Sequence, residues 1–524
     1  MLSEVIGQVV GTHAVIRASL LVVAAVLVFT FTIRLFSVGQ SREVRKLRYR
    51  LPQTSQLIQT KNALQQSKSS SPLLGMRDLP GVPFKWPNGQ GTEKFFDGRQ
   101  AARRWRNQYG PMYSIWSGFK REIVLTKPEH VQVFYKDSHM HIKATDNNSG
   151  WLFGELLGSC VGLVSQKRWQ RVRKPFEPHF TRPSSMGRTT PFIHEAREFL
   201  HVINPSEGEC TINTTNDLKY CPFFMVASIF FGTLTPEQRK EMYALGPPRE
   251  DLFRETFMGG INRYAIAKYL PGSAMPRLRQ FQLNWETFVA RSYEYSIREG
   301  DGAIISLWEA IQNDQMSMQE LLQTLDESLF ANLDVTAHAV SWNVIRIAQH
   351  TDIQQKVRLE MQSYTQSEES YENYLCREDT LLAACILEVS RLHPILPFSN
   401  PEAADVDKIV DGYVIPRNTD VIVDAYAINV DNPYWENASN FDPYRHLGQK
   451  DQARRYNMWR FGFGPRQCLG KNVADIILRV IVAELLRSYQ LDIVQQQGAD
   501  GVELQADSWI GLPNGEVHLT PIKS

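Results

Sequence analysis

The chain has 524 residues, 43% of them hydrophobic and 11% aromatic, which is enough apolar material for a large core in one or several domains. Its 57 basic and 56 acidic residues nearly cancel, which excludes the electrostatic footprint of a nucleic-acid-binding protein. The six cysteines, at 160, 210, 221, 376, 385 and 468, form no CxxC pairs and lack the density of a secreted disulfide scaffold, so five of them read as ordinary thiols of a reducing compartment.

Ala18 to Ile33 is an uncharged, mostly apolar run bounded by Arg17 and Arg34. As a helix it spans about 24 Å, against a hydrocarbon core of roughly 30 Å, and the flanking arginines can reach the headgroups. Basic residues from Arg42 to Arg50 follow it, so the positive-inside rule predicts a single-pass anchor with its N-terminus in the lumen of the endoplasmic reticulum and the body in the cytosol. A cleaved signal peptide ending near Ser37–Gly39 is the competing reading, opposed by the long polar leader and the basic cluster. The expected organisation is a luminal tail and anchor over 1–36, a basic, Gln/Ser-rich linker running into a proline hinge over 37–79, and one catalytic domain over 80–524.

Tyr113 to Thr126 reads as two short strands with a turn near Ser117–Gly118. Helical patterns dominate from about Arg168. In Lys167 to Lys174, Trp169 and Arg173 share one side of a helix, and Lys167, Arg171 and Lys174 lie on the other. Met318 to His350 contains neither proline nor glycine and predicts one long helix, on the order of 50 Å. Thr380 to His393 predicts a helix stopped by Pro394, with Glu388 and Arg391 three apart on one face. A second strand region is expected over Ile409 to Val423, turning at Asp411–Gly412.

The most informative segment is Phe461 to Gly470, FGFGPRQCLG. It places Cys468 in a glycine-bounded loop, with Gly464 and Gly470 expected to let backbone approach a flat ligand. Val473, Ile476, Ile477, Val480 and Ile481 then mark the buried face of a following helix. A sulfur ahead of a helix N-terminus meets free N–H donors and a positive field, which favour the thiolate. Such a thiolate can ligate haem iron. A phosphate-cradling loop fits poorly, because the third glycine of the dinucleotide fingerprint and a Gly-Lys-Ser/Thr are both missing.

The pattern Phe461, Gly464, Arg466, Cys468, Gly470 resembles the haem-binding signature of the cytochrome P-450 family. Glu388-x-x-Arg391 and then Phe441-Asp442-Pro443-Tyr444-Arg445 resemble two further landmarks of that family, which precede the Cys468 loop in the family's order. The resemblance implies a mainly helical fold with small sheets, and haem b held by the Cys468 thiolate with Phe461 beside the sulfur. It implies that Trp169, Arg173 and Arg466 hold the propionates, and that Glu388, Arg391 and Arg445 form a buried charge network. Lys167, Arg171 and Lys174 would face a reductase.

Ala331 to Thr336 resembles the family's oxygen-side motif, with Asp334 at its acidic position. Asn332 replaces a usual glycine and Val335 the usual threonine, so proton handling is expected to fall to Asp334 with Asn332, Thr336, water or the substrate. Phe330, Ala331, Ile395, Leu396 and Phe398, with parts of Asn147 to Ser165, are the pocket candidates. The implied activity is oxidation of a hydrophobic or amphipathic small molecule with O2 and NADPH-derived electrons. These would pass through NADPH-cytochrome P-450 reductase, with cytochrome b5 as a further donor. The general texture resembles fungal members that tailor secondary metabolites. A reductase-independent haem-thiolate isomerase or dehydratase acting on a peroxide, and a non-catalytic haem binder, are the rival readings.

Overall fold

A computed structural model of the protein describes residues 79–448, 454–494 and 502–522. The expected anchor over 1–36, and the linker up to residue 78, lie outside the described residues. Among the described residues no helix is long and apolar enough to cross a membrane.

The strands expected over Tyr113 to Thr126 are Met112–Ser117 and Lys120–Leu125, an antiparallel pair in which Tyr113 faces Val124 and Ser117 faces Lys120. Lys120–Leu125 pairs in parallel with Asp420–Val423, and Glu402–Ala403 and Ile142–Lys143 complete a five-stranded sheet. The second strand region is Lys408–Val410 and Tyr413–Ile415, joined by Asp411 and Gly412, both at positive φ as a tight hairpin turn requires. The proline segment adds to the sheet edge: Ser114 N–H donates to the Pro80 carbonyl at 2.9 Å.

Helices form the rest of the body and its main core. Lys471–Ser488 buries Val473, Ile476, Ile477, Val480 and Ile481, the face predicted from sequence, and extends it through Leu485 and Leu486. Thr380 caps Leu381–Leu392 by accepting the Ala383 N–H at 3.1 Å, and the helix ends ahead of Pro394.

The expectation of one helix over Met318 to His350 is corrected. The segment forms two helices, Met318–Ser328 and Leu333–Gln349. Ser317 and Glu320 form a reciprocal capping box at the first N-terminus. At the interruption the Ala331 N–H reaches back five residues to the Asp326 carbonyl, at 3.0 Å, so one residue is in excess of the α-helical ladder. The Asn332 side chain supplies the missing donor: its Nδ2 bonds the Glu327 carbonyl at 2.7 Å. Hydrophobic periodicity does not register such a bulge, because no glycine or proline marks it.

Candidate functional site

The cysteine loop is shaped by backbone. Phe461, Gly462 and Gly464 all have positive φ, and the Cys468 N–H closes the loop by donating to the Phe461 carbonyl at 2.8 Å. Gly464 is crowded by protein: a Cβ there would stand 2.0 Å from Ser138 Oγ. The glycine thus lets Ser138 pack against the loop. At Gly470, φ is negative and a Cβ would meet nothing nearer than the Cys468 sulfur, at 4.0 Å.

The Cys468 side chain is accessible, yet burial raises its thiol above the ordinary range. The sulfur is thus reachable although protein surrounds it. The Gly470 N–H donates to it, as the helix-terminus argument requires, but burial and the charge of Glu327 outweigh that donor. The protein groups alone therefore favour the thiol, and a coordinating metal would supply the charge that stabilises the thiolate.

Trp169, Arg173 and Arg466 come together. The indole of Trp169 has the Arg466 guanidinium 5.0 Å and the Arg173 guanidinium 5.3 Å from its ring centre. Arg173 bonds Glu177 at 2.6 Å and the Gln467 carbonyl at 3.3 Å. Arg466 donates from Nη2 to the Val164 carbonyl at 2.6 Å, but its Nε and Nη1 are buried without a partner. Burial lowers that guanidinium to about 10. Two orphaned donors on a buried cation call for an anionic acceptor, which is what a haem carboxylate provides. With the thiol opening on the same interior, the donor set fits haem.

Arg171 lies on the exposed side of its helix as expected from sequence, and it is also engaged in an ion pair. Its guanidinium is held by Glu320 at 2.8 Å, and Arg168 binds the same carboxylate at 2.7 Å. Lys167 and Lys174 remain exposed.

Glu388, Arg391 and Arg445 meet in the core. Arg391 grips the Glu388 carboxylate with two bonds of 2.8 Å, both side chains being fully buried, and Arg445 Nε adds a third at 3.0 Å. His446 Nε2, at 2.8 Å, and the Asp442 N–H, at 3.0 Å, complete the shell. Burial alone would raise Glu388, but these donors hold it down to about 2. Sequence reasoning passed over His446, although it directly follows Arg445. It also passed over Asn429, whose carbonyl accepts from Arg391 at 2.9 Å while its side-chain amide bonds both the N–H and the carbonyl of Trp459, two residues ahead of Phe461. Asn429 thereby connects the charge network to the cysteine loop.

Over the interrupted helix, Asp334 is held on both oxygens, by Lys219 at 2.9 Å and by Trp509 Nε1 at 2.7 Å. Lys219 also bonds Glu250 at 2.9 Å, nearer the surface. The Thr336 hydroxyl donates back into its own helix, to the Asn332 carbonyl at 3.0 Å. Val335 is half-buried, with no polar group to offer.

Two pocket candidates are corrected. Phe330 is buried in an aromatic cluster, with ring centres 5.3 Å from Phe223, 5.2 Å from Trp285 and 5.9 Å from Phe281. Phe398 is buried against Trp105 in the core beneath the sheet. Both were drawn from apolar character, which does not distinguish a core side chain from a cavity wall. Ala331, Ile395 and Leu396 stay half-buried at the edge of the main core.

A loop that presents an accessible cysteine, with orphaned arginine donors two residues before it, fits a haem-thiolate protein. The cytochrome P450 family pattern matches residues 80–516, and the chain belongs to that family. It is 71% identical over 445 residues to the cytochrome P450 monooxygenase verC of Clonostachys rogersoniana, covering 85% of this chain and 88% of that one. It is 49% identical to the cytochrome P450 monooxygenase gliC of Aspergillus fumigatus, covering 86% and 90%, and 41% identical to aclC of Aspergillus oryzae, covering 84% and 91%. The protein is a cytochrome P450 monooxygenase, and the isomerase and passive-binder readings fall away.

Proposed function

We propose that this enzyme oxidises a hydrophobic or amphipathic small molecule in the biosynthesis of a fungal secondary metabolite, from a body anchored to the endoplasmic reticulum membrane. Electrons come from NADPH through a separate reductase. The observation that carries the reading is the accessible Cys468 thiol with the unpaired Arg466 donors on the same loop. Thiolate-bound haem supplies activation of dioxygen, so that one oxygen atom enters the substrate.

The chain's own residues hold and orient. Cys468 would ligate the haem iron, while Arg466, Trp169 and Arg173 would receive the propionates. Asp334 accepts protons relayed from the surface by Lys219 and Glu250, and water carries them past Val335. Lys167 and Lys174 receive an acidic reductase.

Membrane contact has support beyond the apolar N-terminal run. Phe84, Trp86, Phe119, Ile261, Ile266 and Tyr269 are exposed, and Phe119 stacks on Phe84 at 5.7 Å while touching Trp86 and Tyr264, each at 6.1 Å. An aromatic patch of that kind suits a lipid interface.

The test is the reduced, carbon-monoxide difference spectrum. The native chain should show the long-wavelength Soret band of thiolate ligation, and Cys468→Ala should lack it. A band that survives this substitution overturns the assignment.

A further inference from the structure

Asp334 has two holders, and they differ chemically. Lys219 is an ammonium that binds one carboxylate oxygen at 2.9 Å, whereas Trp509 binds the other through its indole Nε1 at 2.7 Å. An indole N–H is a donor only and neither releases nor takes up a proton as an acid or base would. It cannot belong to a proton route, and what it can do there is fix an orientation.

The two holders come from one stitched unit. Residues 502–515 fold back on themselves: the Gln505 N–H donates to the Leu512 carbonyl and the Asn514 N–H to the Glu503 carbonyl, both at 2.8 Å, and Gly511 turns the tip at positive φ. The base of this hairpin is tied to the segment that leads into Lys219. The Thr214 N–H donates to the Gly515 carbonyl at 2.9 Å, and the Thr215 hydroxyl to the Pro513 carbonyl at 2.6 Å. Both segments are fastened to the helix that carries Asp334. The Ser341 hydroxyl donates to the Thr214 carbonyl at 2.9 Å, and a Cβ on Gly515 would fall 2.6 Å from Ile345 Cδ1. At the tip the buried indole lies flat on Phe257, ring centres 4.6 Å apart, with Phe253 edge-on at 5.2 Å. A carboxylate on the first turn of Leu333–Gln349 is thus gripped by two side chains whose backbones are anchored about two turns further along the same helix.

We infer that Trp509 is a positioning residue for proton delivery: its indole N–H, kept in place by the Phe257 stack, locks the Asp334 carboxylate in the orientation that receives protons from Lys219. Without that bond the carboxylate keeps one contact and pivots about it. A misplacement of about 1 Å can slow a positioned step on the order of a hundredfold.

The inference rests on the proposed proton role of Asp334, and the experiment separates the two. Full-length native protein, Asp334→Asn, Trp509→Phe, Trp509→His and the double variant Asp334→Asn with Trp509→Phe are reconstituted with NADPH-cytochrome P-450 reductase in phosphatidylcholine vesicles. Each is first required to show the thiolate band under carbon monoxide. NADPH consumption is then timed in H2O and in D2O. Asp334→Asn should slow consumption by roughly a hundredfold, the scale of a lost proton-transfer group. Trp509→Phe, which keeps the ring stack and loses the N–H, should slow it by roughly tenfold and enlarge the solvent isotope effect. Trp509→His, whose imidazole carries an N–H at the equivalent ring position, should recover part of the loss. In the double variant the second substitution should change neither quantity further, because no carboxylate is left to position. Native rate and native isotope effect in Trp509→Phe overturn the inference, as does a further loss in the double variant, which marks a purely structural indole. If Asp334→Asn turns over like native protein, the proton route itself falls and the inference with it. Should Trp509→Phe fail to bind haem, Phe257→Leu decides: it removes the stack and keeps the N–H, and native values in both measurements overturn the inference.

Discussion

Replacing Glu388 by glutamine tests the physics of the core most directly. Oε1 accepts from Arg391 Nη2, Arg445 Nε and the Asp442 N–H, while Oε2 accepts from Arg391 Nε and His446 Nε2. A glutamine has one oxygen and one NH2, so in either orientation its NH2 group faces at least two N–H donors. The side chain keeps its volume but leaves the fully buried Arg391 without a counter-charge. Breaking one partner of a buried pair costs about 3–5 kcal/mol.

The titration of Glu388 gives an independent figure. An ordinary glutamate near 4.5 is held down here to about 2, which corresponds to roughly 3 kcal/mol of stability at neutral pH. Because the folded value is the lower one, this stabilisation is complete above about pH 4.5 and fades as pH falls towards 2. Against a total of about 5–15 kcal/mol, such a loss removes a large share of the fold's margin. Glu388→Gln should therefore yield little haem-loaded protein, with a lowered thermal midpoint, and native protein should lose its thiolate Soret band in that acid window. Native-like haem content and an unchanged midpoint in the variant would refute the reasoning.

Three more outcomes follow from the site. Arg466→Leu removes the orphaned donors, and transfer of haem to apomyoglobin should speed up by roughly ten- to a hundredfold, from a charge-assisted bond of about 1.5–3 kcal/mol. Asn429→Ala cuts both bonds to Trp459 and should leave the initial spectrum intact while hastening conversion of the thiolate Soret band to its shorter-wavelength form on mild heating. Val335→Thr adds a hydroxyl beside Asp334, so the product formed per NADPH consumed should change; an identical ratio would remove position 335 from proton handling.

What the sequence revealed and what it hid divide along a physical line. The buried face of Lys471–Ser488, the two strand regions and the order of the charged landmarks were legible because each repeats a period or a fixed spacing. His446, Asn429 and Trp509 were not, because their significance lies in partners 58, 30 and 175 residues away. Phe330 and Phe398 were misjudged for a related reason: an apolar side chain carries no mark of whether the surface it meets is protein or void. In the basic run Arg171 is exposed, as helical geometry places it, but its spacing gave no sign that the buried Glu320 pairs with it.

The interrupted helix shows how a departure from a family pattern can preserve a shape. Glycine at position 332 would open the ladder simply by lacking a side chain, at a cost in helix propensity. Asparagine achieves an opening by a different route, because its amide replaces the backbone donor that the bulge withdraws from the Glu327 carbonyl. The Thr336 hydroxyl then bonds the Asn332 carbonyl, so the two side chains brace the break from either side. Committing both groups to the backbone leaves neither free as the proton donor that threonine at 335 would be. Asp334, fixed between Lys219 and Trp509, is then the ionisable group in the first turn beyond the break, which is why the proposed proton route runs through it and water.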